Sequence, residues 1–127
     1  MRASSGKSLR GLHPVFAERV RRFLELAYEP PTYRIIVTSA KRTAAKQAML
    51  YNRSLRDGSV AAKPGHSLHE RGLAVDLGQQ ANYFAGTQPV SDDWDKRANA
   101  LGLRRLSGSL RSRDPWHWYP VEFGDNG

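Results

Sequence analysis

Two separated segments of the chain carry two histidines and two carboxylates, and this set constrains the fold and chemistry more than any other feature. The segments are Ser67-Leu-His69-Glu-Arg-Gly72-Leu-Ala74-Val-Asp76 and Asp114-Pro-Trp-His117. Two histidines and one aspartate are a full protein ligand set for a catalytic zinc ion, with a fourth position left for water. Asp114 lies three residues before His117, where its carboxylate can act on that water as a general base. The sequence therefore suggests a metal site and a reaction.

The length and composition indicate one small domain. The chain has 127 residues, of which 39% are hydrophobic, enough for one packed core and not for two. It contains no cysteine, which excludes disulfide bonds and cysteine-ligated metal sites. No apolar run is long enough to span a bilayer, and the basic stretch Met1 to Leu12 lacks the apolar region of a secretory signal peptide. We therefore expect no transmembrane segment and no standard export signal.

The charge of the chain is strongly positive. Its 20 Lys and Arg residues against 12 Asp and Glu give a formal net charge of +8, a balance that attracts polyanions. Nucleic acid and the anionic polymers of a bacterial envelope both fit this charge, and so does a simple solvated surface of dispersed arginines. No RNA- or DNA-binding signature accompanies the basic residues, so we expect no specific nucleic-acid partner.

Apolar periodicity and capping residues predict three helices. We place them over Pro14 to Tyr28, Thr43 to Leu55 and Ser91 to Leu101. Thr43 and Ser91 are the expected N-caps of the second and third helices. Pro14 suits the first turn of the first helix, and Gly102 is expected to end the third.

Short apolar or β-branched runs predict the strands. They are Tyr33 to Thr38, Gly72 to Leu77, Leu103 to Leu106 and Trp116 to Tyr119. The last two are expected to pair beside the strand that ends in Asp76 and Leu77. The predicted fold class is α+β, a single small domain over residues 13–127 with a short antiparallel sheet and flanking helices. Residues 1–12 are expected to form a flexible basic arm.

Each candidate ligand also has a simpler structural interpretation. Asp76 lies in a short apolar run, where an ionised carboxylate is costly unless it pairs with an arginine or binds a metal. A histidine between two tryptophans, such as His117, is more often a hydrogen-bonded core residue, and Asp114 can be a turn residue before proline. The small residues Gly72 and Ala74 favour a cleft beside Asp76. Together the four residues supply every part that a zinc hydrolase needs, which favours the metal site.

The spacing Ser-x-His-x-x-Gly-x-Ala-x-Asp with a later Asp-x-Trp-His resembles the zinc D,D-peptidases of the VanY and VanX type. It is equally similar to phage endolysins of the same metallopeptidase group, which cleave the L-alanyl-D-glutamate bond of peptidoglycan. Two upstream segments also resemble that group: Val37-Thr-Ser-Ala-Lys-Arg42-Thr-Ala-Ala-Lys-Gln47-Ala-Met-Leu-Tyr51 and Lys63-Pro-Gly-His-Ser-Leu-His69. The resemblance extends from about Leu12 to Tyr119 and implies a Hedgehog/D,D-peptidase-like fold.

The resemblance implies roles for seven residues. The Zn²⁺ ligands that it implies are His69, Asp76 and His117. Around the metal it implies Asp114 as general base, Arg42 as the cation that holds the scissile carbonyl and its oxyanion, and Ser67 and Gln47 as substrate contacts. The chemistry agrees, because zinc lowers the pKa of bound water to about 7. A fixed arginine in a dry cleft also stabilises a developing negative charge.

The remaining histidines and the tryptophans receive structural roles. His66 is interpreted as a residue at the cleft edge or a hydrogen-bond partner of the ligands, and His13 as a surface residue. Trp94 and Trp118 are expected in the core. Trp116 is expected in the core as well, or as a wall of the cleft.

The implied activity is hydrolysis of peptide bonds in peptidoglycan stem peptides by a monomeric, bacteriolytic zinc peptidase. An Asp as general base and the absence of an export signal favour a phage-type endolysin, held in the host cytoplasm until it is released to the wall. Its basic surface is expected to adhere to anionic cell-wall polymers. Two alternatives stay open: a D-alanyl-D-alanine carboxypeptidase, to which the ending Trp116-His-Trp118 is closer, and a non-catalytic zinc-containing binding module, which would not need both Asp114 and Arg42.

Overall fold

The computed structural model describes residues 8–27, 34–59, 61, 63–65, 67–80 and 86–123. Within these ranges the helices are α1 Pro14–Leu26, α2 Ala44–Asp57, α3 Asp95–Ala100 and α4 Gly108–Arg113. The strands are β1 Arg34–Ser39, β2 Val75–Gln80, β3 Gln88–Pro89, β4 Leu103–Arg105 and β5 His117–Pro120. Two single 3₁₀ turns lie at Asp92–Trp94 and Val121–Phe123. The α+β class predicted from the sequence is confirmed.

The helix ends follow the local sequence signals. The His13 ring accepts a hydrogen bond from the Val15 amide at the start of α1, and Pro14 occupies the first helical position. The Thr43 side chain caps α2 by accepting from the Lys46 amide, as predicted. Gly58 ends α2 in the left-handed region, with φ at 76°. The cap of Ser91 is also confirmed, although its segment is a 3₁₀ turn followed by a shorter α3.

The strands form one antiparallel sheet in the order β1-β2-β5-β4, with β3 added beside β2. The register pairs Asp76 with His117 and Val75 with Trp118. The predicted pairing of the two motif-bearing strands is therefore confirmed. It places two candidate ligands, far apart in sequence, directly opposite one another.

Each face of the sheet carries its own core. Trp118 and Tyr119 are consecutive in β5 and point to opposite faces. Trp118 belongs to the larger core with α1, and Tyr119 belongs to a smaller core that includes Leu68, Leu73 and Leu106. His117 lies on the same face as Tyr119, so the candidate metal site rests on the smaller core.

A buried arginine joins the larger core to the strand that carries His117. The Arg105 guanidinium stacks over the Trp118 ring at 4.4 Å and donates to the Val90 carbonyl at 2.6 Å. It also pairs with Asp95, which compensates the cost of burying its charge. Neither β3 nor α4 was predicted, because two residues and a short polar run give no clear periodicity.

Several predicted boundaries shift. The second strand begins at Val75 instead of Gly72 and continues to Gln80. The first helix ends at Leu26, and Tyr28 lies outside the described residues. Of the arm assigned to residues 1–12, residues 1–7 are also outside them, whereas Leu12 is buried and Leu9 packs against the larger core.

Gly72 cannot start a strand because its backbone has φ at +73°. A Cβ atom at this position would lie 2.4 Å from the Gly11 carbonyl oxygen, so a side chain has no room. The Gly72 carbonyl accepts from the His13 amide at 2.9 Å, which ties the turn after His69 to the start of α1. The glycine thus permits a close contact between two backbone segments.

We expect Gly72→Ala to lower the free energy of unfolding by more than Gly58→Ala does. Both changes place a side chain at positive φ, which costs about 1 kcal/mol. At Gly58 nothing lies within 4 Å of the added Cβ, whereas at Gly72 it meets backbone, which adds a steric cost. Urea denaturation followed by tryptophan fluorescence measures both losses. Equal losses for the two variants would contradict the close contact.

Candidate metal centre

Three side chains converge on the face of the sheet above the smaller core. His69 lies in the turn before β2, Asp76 in β2 and His117 in β5. Each offers one ligand atom, and these atoms lie within 4.8 Å of one another. Both histidines are buried, with 2% and 5% of their surface exposed. The structure thus brings together the ligands that the sequence predicts, in a cluster that can hold a metal ion.

The orientation of the His69 ring is fixed by a backbone carbonyl. Its Nδ1 lies 2.9 Å from the Ala40 oxygen, which is a hydrogen bond when Nδ1 carries the proton. Nε2 then keeps its lone pair and faces the Asp76 carboxylate, 3.2 Å from Oδ1. Such an outer hydrogen bond selects the tautomer that binds a metal through Nε2.

The donor atoms of the cluster fit a cation. Among the described residues, Oδ1 of Asp76 is buried without a hydrogen-bond partner, and Nδ1 of His117 faces it at 3.9 Å. Oδ1 of Asp76 and Nε2 of His69 face each other as two acceptors, and they repel unless a proton or a metal ion lies between them. Two imidazoles and one carboxylate form a ligand set suited to zinc, with an open fourth position.

The protonation states favour metal binding. Burial, and then the neighbouring His69, lower the pKa of His117 to about 4, so its ring is neutral at pH 7. Burial opposes the ionisation of Asp76, but His69 and the Arg42 guanidinium outweigh it and hold the carboxyl pKa below its ordinary value. A neutral His117 and an ionised Asp76 are the forms in which these two residues bind a metal ion.

Arg42 holds the outer oxygen of Asp76. Its Nη2 donates to Asp76 Oδ2 at 3.0 Å, and its Nη1 and Nε donate to Gln47 Oε1 at 3.1 Å and Ser39 Oγ at 3.3 Å. A bulge in β1 after Val37 places Ser39 opposite Asp76. These contacts direct Asp76 Oδ1 toward the two histidines. Arg42 therefore lies beside the metal cluster, and its contact with a scissile carbonyl stays a prediction.

Gln47 and Ser67, the predicted substrate contacts, make internal hydrogen bonds. Gln47 is fully buried, and all the other residues of α2 keep some exposure. Its contact with Arg42 holds that guanidinium in place. The Ser67 hydroxyl accepts from the His69 amide at 3.1 Å and shapes the turn that presents the ligand. Their contacts with a substrate stay a prediction.

Asp114 ends α4 and is half-buried beside the cluster. Burial, and then the negative charge of Asp76, raise its pKa to about 6. A carboxylate with a raised pKa near a metal cluster can exchange protons near neutral pH. Asp114 thus lies beside the cluster, and its role as general base stays a prediction.

Other predicted residues have mixed outcomes. His66 lies outside the described residues, and His13 is exposed at the start of α1, as predicted. Trp118 is fully buried and Trp94 packs against the larger core, whereas Trp116 is half-buried. Sequence reasoning missed Ala40, because it acts through its carbonyl and its side chain gives no signal.

Comparison of the structure with solved structures shows a shared fold. The vancomycin-resistance D,D-pentapeptidase VanY of a VanB-type cassette, solved with Zn(II), aligns with a TM-score of 0.66 and 21% identity over 95% of this chain and 79% of that one. The Serratia marcescens L-Ala D-Glu endopeptidase ChiX aligns with a TM-score of 0.63 and 22% identity over 100% of this chain and 93% of ChiX. The vancomycin-resistance D,D-dipeptidase VanXYg, in complex with a D-Ala-D-Ala phosphinate analogue, aligns with a TM-score of 0.67 and 22% identity. That alignment covers 87% of this chain and 50% of VanXYg.

The fold is therefore that of these peptidoglycan peptidases, which confirms the resemblance at the level of structure. The chain spans half the length of VanXYg and most of the length of ChiX. The sequence matches no protein-family model and no curated protein. Among the described residues, no helix is long and apolar enough to cross a membrane.

We expect the purified protein to hold one zinc ion per chain, and His117→Ala to lose it, because that change removes one of three ligands. His13→Ala is the matched control, since it removes an exposed histidine at a helix start. Elemental analysis after dialysis gives the zinc content of each protein. A folded native protein that holds no zinc after loading would overturn the metal site.

Proposed function

We propose that this protein is a zinc-dependent peptidase that hydrolyses peptide bonds in peptidoglycan stem peptides. The observation that carries the proposal is the His69–Asp76–His117 cluster, with Asp114 and Arg42 beside it, on a fold shared with peptidoglycan peptidases. The cluster alone suits many zinc proteins. The adjacent acid–base group and cation fit hydrolysis and disfavour a silent binding module.

The residues divide into ligands and reactive groups. His69, Asp76 and His117 would hold the zinc ion through two imidazoles and one carboxylate. When bound, zinc polarises a peptide carbonyl and acidifies a water molecule. His69 and Arg42 hold the carboxyl pKa of Asp76 low, and Arg42 orients that carboxylate through its contact with Oδ2.

Asp114 moves the protons. As a carboxylate it accepts a proton from the attacking water, and as a carboxylic acid it returns that proton to the leaving amine. Its pKa near 6 makes both forms accessible close to neutral pH.

Arg42 supplies fixed positive charge. Its guanidinium is held by Ser39, Gln47 and Asp76, so it needs little reorganisation as negative charge develops on the scissile carbonyl. Preorganised charge of this kind stabilises a transition state more than mobile water does. Arg42 thus has two functions, orienting a ligand and stabilising the oxyanion.

Within this class we propose an L-alanyl-D-glutamate endopeptidase of the phage endolysin type. The Asp in the base position and the similarity to ChiX, which covers nearly the whole of both chains, support it. The net charge of +8 supports adhesion to anionic wall polymers. D-alanyl-D-alanine carboxypeptidase activity is the second candidate, supported by the similarity to VanY and VanXYg.

We expect Asp114→Asn to keep its zinc and to lose hydrolysis by about a hundredfold to ten-thousandfold, because the amide cannot accept the proton. Asp93→Asn removes an exposed carboxylate and serves as the control. Zinc content and peptide turnover are measured for both variants. Turnover that survives in Asp114→Asn would assign the base to another group.

The native enzyme should lose activity as pH falls through the pKa of Asp114. The base must be ionised, so the rate rises with pH and levels off above the folded pKa, which is about 6 before metal binds. A bound dication favours the carboxylate, so the acidic limb should lie at or below that value. A pH–rate profile of kcat/KM measures it. An acidic limb well above pH 6 would contradict this assignment.

Digestion of purified peptidoglycan decides which bond is cut. We expect fragments with a new D-glutamate amino terminus, detected by mass spectrometry. Release of terminal D-alanine instead would favour the carboxypeptidase. Zinc-loaded protein that releases neither product would overturn the proposed function.

A further inference from the structure

The sheet face that carries the metal cluster continues well beyond it along β1 and β2. Alternate residues of a strand share a face, so Asp76, Gly78 and Gln80 lie on the same side. The register pairs Gly78 with Ile36 and Gln80 with Arg34, which adds those two residues of β1 to this face. The face therefore leads from the candidate ligand Asp76 to a cation.

This continuing face is more open than the opposite one. Arg34, Ile36 and Gln80 are half-buried. On the other side of the same strands, Ile35 is 1% exposed and Leu77 is 0% exposed. Gly78, the residue of β2 between Asp76 and Gln80, is buried, so the open part of this face is its β1 side, where Ile36 and Arg34 can meet an extended ligand.

An indole and a threonine cover Gly78 in the middle of the face. A Cβ atom at Gly78 would lie 3.0 Å from Cζ3 of Trp116 and 2.4 Å from Cγ2 of Thr87. The absence of a side chain at Gly78 thus lets these two groups approach the strand. The half-buried Trp116 ring provides an apolar surface between the metal cluster and the far end of the face.

At the far end, Arg34 is held in one orientation. Its Nε and Nη2 donate to Gln80 Oε1 at 3.0 and 2.9 Å, and Gln80 Nε2 donates to Thr87 Oγ1 at 3.1 Å. A guanidinium whose plane is fixed by such contacts loses little entropy when it binds a carboxylate. The arrangement suits recognition of a carboxylate.

The spacing defines where on a ligand that carboxylate would lie. Gln80 is four residues from Asp76 along β2, which corresponds to roughly 13 Å. An extended peptide covers about 3.3–3.6 Å per residue. A group on Arg34 would therefore lie about four residues from a bond held at the metal cluster.

We propose that Arg34, fixed by Gln80 and bordered by Trp116 and Thr87, is a carboxylate subsite for the peptide substrate. The inference rests on the proposed function, since it assumes that a peptide is cut at the metal cluster. It adds a determinant of specificity: a carboxylate-bearing peptide is preferred over the same peptide as an amide. The preference depends on the distance between the carboxylate and the scissile bond.

The test uses four synthetic peptides that carry the cleavable bond. Two have a carboxylate, placed either about four residues from that bond or adjacent to it, and the other two have a carboxamide at the same positions. Arg34→Gln should raise KM by about tenfold for the distant carboxylate, as expected for loss of a charge-assisted contact. It should leave kcat, zinc content and the KM of the other three peptides nearly unchanged. Arg34→Lys, which keeps the charge but lacks the planar pair of donors, should recover only part of the affinity.

Arg104→Gln is the matched control, because it removes an exposed arginine from β4 and should leave all four KM values unchanged. An equal rise in KM for carboxylate and amide, or no rise, would overturn the subsite. If Arg34→Gln unfolds, Arg34→Lys decides: it should lower the preference for the distant carboxylate, and a preference equal to that of the native protein would overturn the subsite. If the native protein cuts none of the peptides, the proposed function fails. Calorimetric binding of the same peptides to the zinc-loaded protein then tests the subsite separately.

Discussion

The buried carboxylate of Asp76 is the constraint on which the rest of the site depends. An ionised group in the middle of an antiparallel sheet needs compensating charge or a metal ion. Arg42 donates a hydrogen bond to Oδ2 of this carboxylate, and the rings of His69 and His117 face Oδ1. Each partner comes from a different part of the chain, so one charge draws together the loop after β1, the turn before β2, and β5.

The backbone around the site supports this convergence. The Ala40 carbonyl accepts from His69, and the Arg42 amide donates to the His69 carbonyl at 3.0 Å, so the loop after β1 and the ligand turn hold each other. On the opposite face, Arg105 stacks on Trp118, the neighbour of His117. The ligands are therefore fixed from both sides of the sheet before any metal binds, which lowers the entropy cost of binding it.

The sheet carries the metal cluster at one end and, in our proposal, a subsite for a substrate carboxylate at the other. β2 carries Asp76 at its start and Gln80 at its end, and the edge strand β1 brings Arg34 beside the latter. Because antiparallel partners share a face, a residue change in β1 acts on the same surface as the metal ligands. Specificity could thus vary along the strands while the ligand set stays unchanged.

Local sequence chemistry was enough for part of this description. The capping roles of Thr43 and Ser91, the place of Pro14 in the first turn of α1 and the ligand types of the metal cluster follow from short-range rules and residue chemistry. Other features needed the fold, because they depend on the register between strands that are distant in the chain. Such features include the hydrogen bonds from Arg42 to Asp76 and from Arg34 to Gln80. They also include the contact of His69 with the Ala40 carbonyl and the raised pKa of Asp114. Residue types supplied the reactive groups; burial and strand register decided which of them act on one another.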